Sequence, residues 1–145
     1  MRVSLVAVKR VSLATALAAA LGACHHADRL LDEPGLQRQL HALASLSAEA
    51  ALVADEAHAG HLTAAYIRAH LGHLLEDVAD ARQQLARPAP ASLAPRQQAA
   101  QALAAQLARA LAEIAVAPSD TGRGLLEQER LAKRLKGEFD ALGTS

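Results

Sequence analysis

Four of the seven histidines in this chain, His58, His61, His70 and His73, fall within a sixteen-residue stretch. Imidazole nitrogens with a carboxylate accept Zn²⁺ or Cu²⁺, so this stretch is the candidate ligand set. Asp55, one helical turn before His58, supplies the carboxylate. On a helix beginning near Thr63, Tyr66, His70, His73 and Asp77 recur at spacings of four, three and four, a stripe bordering the apolar face. His58 falls on the inward stripe of the helix before it, and a short turn places Asp55 level with Tyr66 and His70. The next hairpin would bring Glu113, Asp120 and Glu127 to the same end. The competing reading is structural: His58 fills the bundle end, His70 hydrogen-bonds Tyr66 or Asp77, and His61 and His73 face water. The pattern lacks the repeated Glu-x-x-His of di-iron bundles, since Asp55-x-x-His58 occurs once. His25-His26 reads as a polar spacer, and His41 projects outward.

Other chemistries find less support. Ser45, Ser47 and Thr63 read as helix caps and small core residues, with no nucleophile elbow or glycine-rich phosphate loop. Covalent haem attachment would need Cys-x-x-Cys-His, and Cys24 is the single cysteine, which also removes any internal disulfide. Beyond residue 23 the chain carries twelve basic and fifteen acidic residues, a net of −3, and its aromatics are Tyr66 and Phe139. That composition offers neither a basic patch nor a stacking platform for nucleic acid. We therefore expect a non-enzymatic protein without a resident cofactor, with Zn or Cu at the hairpin histidines as the alternative.

The elements that must position these residues are all helical. Leu36, Leu40, Leu43, Ser47, Ala50, Ala54 and Ala57 recur every three or four residues and predict a helix over 36–59, closed by Gly60. Thr63 caps a second helix with the stripe Ile67, Leu71, Leu74, Val78, Ala81 and Leu85, ending before Pro88. The stiff Arg87–Ser92 loop leads to a third helix over 93–116, with Leu103, Leu107, Ala110, Leu111 and Ile114 inward. Pro95 fits in its first turn. Gln97, Gln98, Gln101 and Gln106 give this helix a weakly polar outer face for a partner. Pro118-Ser119-Asp120-Thr121 ends that helix and caps a fourth, with Leu125, Gln128, Leu131, Ala132, Leu135, Phe139 and Leu142 on its apolar side before Gly143.

Four such helices joined by short loops predict an all-α, up-down-up-down four-helix bundle over 36–145 with an Ala/Leu-rich core. Alanine interfaces let helix axes approach closely and favour the helix intrinsically. One rival is a continuous trimeric coiled coil, which Pro88, Pro90, Pro95 and Pro118 oppose. A second is an extended pair of hairpins that completes its core by dimerising.

The first ten residues carry Arg2, Lys9 and Arg10, and Val11 to Leu21 form an eleven-residue apolar run. A membrane span needs roughly 20 apolar residues, so this run reads as an export signal to be cleaved. It ends in Leu21-Gly22-Ala23-Cys24, which resembles the lipobox of bacterial lipoproteins. The resemblance covers residues 1–24. It implies cleavage between Ala23 and Cys24, a diacylglyceryl thioether on Cys24, and a protein held on the cell envelope facing the periplasm. Within that family, His25 after the modified cysteine implies transfer to the outer rather than the inner membrane. Two or three acyl chains make attachment stable, at about 0.8 kcal/mol per buried methylene. Residues 24–35 would be a lipidated tether spanning at most ~35 Å over its polar part. The murein lipoproteins share the lipobox, but the Leu-Gly-Thr-Ser terminus lacks their peptidoglycan-linking lysine. The expected function is binding or assembly of another envelope protein, with self-association open.

Overall fold

The computed structural model describes residues 30–116 and 123–144. They form four α-helices and, among the described residues, no strand: α1 Glu33–His58, α2 Ala64–Leu85, α3 Ala94–Val116 and α4 Arg123–Gly143. At 1.5 Å per residue the helices are about 32–39 Å long. Sequential helices pack against each other and α4 returns to α1, which closes the predicted four-helix bundle. The α1–α4 seam is the most extensive, followed by α2–α3, while the α1–α2 and α3–α4 seams are thinner. The core is completed within one chain.

The stripes explain why. All six predicted inward residues of α2 are buried, as are the five of α3. On α1 the stripe from Leu36 to Ala54 is buried and Ala57 partly so. Phe139, fully buried on α4, is the core's single aromatic anchor, beside Leu135, Ala132 and Leu125. The apolar edge of α4 is narrower than predicted, because Gln128, Leu131 and Leu142 are only half-buried. Ser47 is the one fully buried polar core residue recorded, and its hydroxyl donates to the Leu43 carbonyl at 2.8 Å, so its burial leaves no unpaired group.

Helix α1 starts three residues earlier than its periodicity predicts. Asp32, in extended conformation, caps it by accepting from the Gly35 N–H at 2.8 Å. Pro34 falls in the first turn, where its missing N–H costs nothing. A Cβ on Gly35 would stand 2.7 Å from the Asp32 Oδ1, so a larger residue there would displace the capping carboxylate. The Pro-Gly pair that reads as a break is thus the helix start. Leu31 is buried as well, and its N–H donates to the Pro88 carbonyl at 2.8 Å, so the packed unit begins inside the stretch predicted as tether.

Candidate functional site

Helix α1 ends in a Schellman turn. Gly60 adopts φ 76°, the His61 N–H donates to the Glu56 carbonyl at 3.0 Å, and the Gly60 N–H donates to Ala57 at 3.1 Å. The side chains of the same two positions also meet, His61 Nδ1 to Glu56 Oε2 at 2.8 Å, where such turns often have an apolar contact. Three residues later Thr63 caps α2, its hydroxyl accepting from the Tyr66 N–H at 3.2 Å.

From that start α2 projects His70 toward α1. Its Nε2 lies 2.9 Å from the Glu49 carboxylate, and its ring stacks on Tyr66 with centroids 5.5 Å apart and planes 9° from parallel. Glu49 and Glu56 stand two turns apart on one stripe of α1, opposite His70 and His61 in antiparallel register. The loop–helix junction and the seam above it are therefore each bridged by one His–Glu pair.

This arrangement differs from the predicted ligand set. His58 is exposed at the last turn of α1 rather than inward, because the stripe continues from Ala54 through Ala57. Asp55 faces the other way. With Ala48, Ala51, Leu52, Lys133 and Lys136 it lines a recess of about 290 Å³ on the α1–α4 side. One residue is 100° of helix rotation, so the acidic residue on the histidine side is Glu56 and not Asp55. His73 lies 3.7 Å from Glu76 on its own helix, with both side chains exposed. His70 takes Glu49 in place of Asp77. His58, His61, His70, His73 and Asp55 are thus divided among separate surroundings, and among the described residues no three His, Cys, Asp or Glu side chains converge as a metal centre. His41 is exposed, as expected. Glu113 pairs with Gln128 across α3–α4. Asp120, like Pro118–Thr121 generally, lies outside the described residues. So do Ala23, Cys24 and residues 24–29 of the predicted tether.

The sequence reading missed Glu49 and Glu56, although their seven-residue spacing on one helix face was visible beside the antiparallel histidines. It also placed Gln97 and Gln101 on an outward face. Their side-chain amides instead donate to the Leu85 carbonyl, each at 2.6 Å, and Gln97 reaches the Arg87 carbonyl at 2.7 Å. They satisfy the C-terminal carbonyl of Leu85, the last residue of α2, and Gln97 also that of Arg87 in the following loop.

No family model, curated protein or solved structure matches this chain. The site's meaning therefore rests on its own chemistry.

The opposite end of the bundle holds a denser polar network. Arg96, at the start of α3, donates to Glu33 at 2.7 Å and to the Leu142 carbonyl at 2.7 Å. Gln37 donates to Glu33 at 3.1 Å and to the Gly143 carbonyl at 2.8 Å. The Arg96 guanidinium, and secondarily the Gln37 amide, hold the Glu33 carboxyl below its ordinary value. Beside this network an open apolar groove of about 600 Å³ runs between α3 and α4, lined by Ala99, Ala102, Leu103, Glu138, Ala141 and Leu142. No described helix is long and apolar enough to cross a membrane.

Proposed function

We propose that this protein is a lipid-anchored component of the bacterial cell envelope, a non-enzymatic helical bundle that binds or assembles with another envelope protein. The observation that carries the proposal is Cys24, the single cysteine, set directly behind Leu21-Gly22-Ala23 and an eleven-residue apolar run. Thioether lipidation at Cys24 leaves the chain a few residues of tether before Leu31. The packed unit begins at Leu31, at its end carrying Asp32, Arg96 and Gly143, and the histidine hairpin lies at the other end of that unit. The α3–α4 groove, apolar except for Glu138, supports the binding half of the reading. Holding such a face at a membrane raises its effective concentration, so a shallow contact suffices. The resemblance to bacterial lipoproteins, with His25 after the modified cysteine, supports placement at the outer rather than the inner membrane.

Metabolic labelling with an alkyne palmitate analogue tests the anchor. The full chain acquires label and partitions with membranes, and Cys24→Ser loses both. Unchanged label in Cys24→Ser removes the anchor. Photocrosslinkers at Ala102, in the groove, and at the exposed Arg68 of α2, outside it, test the face. A discrete envelope adduct from position 102 supports it, and adducts from position 68 alone move the binding surface elsewhere.

A further inference from the structure

We draw no further inference here: the strongest candidate, the open apolar groove between α3 and α4, belongs to the surface already described, and its one charge, Glu138, is met by Arg134 of the same helix at 3.6 Å, so nothing among the described residues shows what covers it.

Discussion

The two ends of this bundle are closed by different kinds of bond. At the hairpin end the turn bonds are local, Gly60 to Ala57, His61 to Glu56 and Tyr66 to Thr63, all within five residues, and the cross-helix pairs His70–Glu49 and Glu113–Gln128 each join only sequential helices. At the other end the bonds cross the fold: Gln37 to Gly143, Arg96 to Leu142 and Glu33, Gln101 to Leu85, Leu31 to Pro88. A local bond stabilises its own turn whether or not the bundle has formed. A bond between residues 37 and 143 exists only in the closed bundle, so it adds to the cooperativity of the whole. The turn bonds of the hairpin end therefore form with their own helices, whereas the longest-range bonds of the far end form only with the bundle.

The largest expected break lies at the cross-linked end. Phe139→Ala removes the one aromatic core residue, fully buried where α4 meets α1, and costs about 3–5 kcal/mol. Denaturant midpoints measure it, and unfolding should stay a single transition. A two-step transition would show that the α1–α4 seam and the hairpin end unfold separately. Arg96→Met comes next. It keeps the aliphatic stem but removes the donor to the Leu142 carbonyl, a charged-donor bond that contributes about 1.5–3 kcal/mol. All four helices should lose stability together. Faster amide exchange restricted to the last turn of α4 would mean that Arg96 secures only that turn.

The same contrast separates what the residue pattern discloses from what it hides. The helix stripes, the Thr63 cap and the Gly60 stop are set by neighbours three to five residues away, so periodicity and cap chemistry suffice to place them. Gln97 and Gln101 carry no local sign that the carbonyls they serve lie at the end of α2. An exposed polar face and a cross-helix cap have the same sequence. The start of α1 was hidden for a different reason: Pro34-Gly35 signals a break to a local rule, while Asp32, by capping Gly35, turns the pair into a first turn. At the histidine hairpin, residue types and approximate register were legible. Partner choice was not, because one residue of rotation exchanges Asp55 for Glu56.

A milder probe of the local end is Gly60→Ala. At φ 76° an alanine is strained although no atom lies within 4 Å of the added Cβ, and the left-handed conformation costs it roughly 1–2 kcal/mol. Thr63→Ala, removing the α2 cap, costs about 1 kcal/mol. The two effects should be less than additive in a double-mutant cycle if both fray the same turn. Full additivity would show that the Schellman turn and the α2 cap act separately.

The smallest effect is also the most diagnostic of the cross-linked end. Glu33 is held below its ordinary value of 4.5, first by the hydrogen bond from Arg96 and then by that from Gln37. A depressed carboxyl binds its proton less readily folded than unfolded. Its contribution is therefore complete above the unfolded value and disappears as pH falls through the folded one. The Tm gap between wild type and Glu33→Gln should hold steady down to about pH 5 and shrink below it. In an Arg96→Met background the main cause of the depression is gone, so the same Glu33→Gln comparison should be nearly flat with pH. A gap that keeps its acid dependence without Arg96 would assign the effect to Gln37, placing the decisive tie on α1 and α4 alone rather than across three helices.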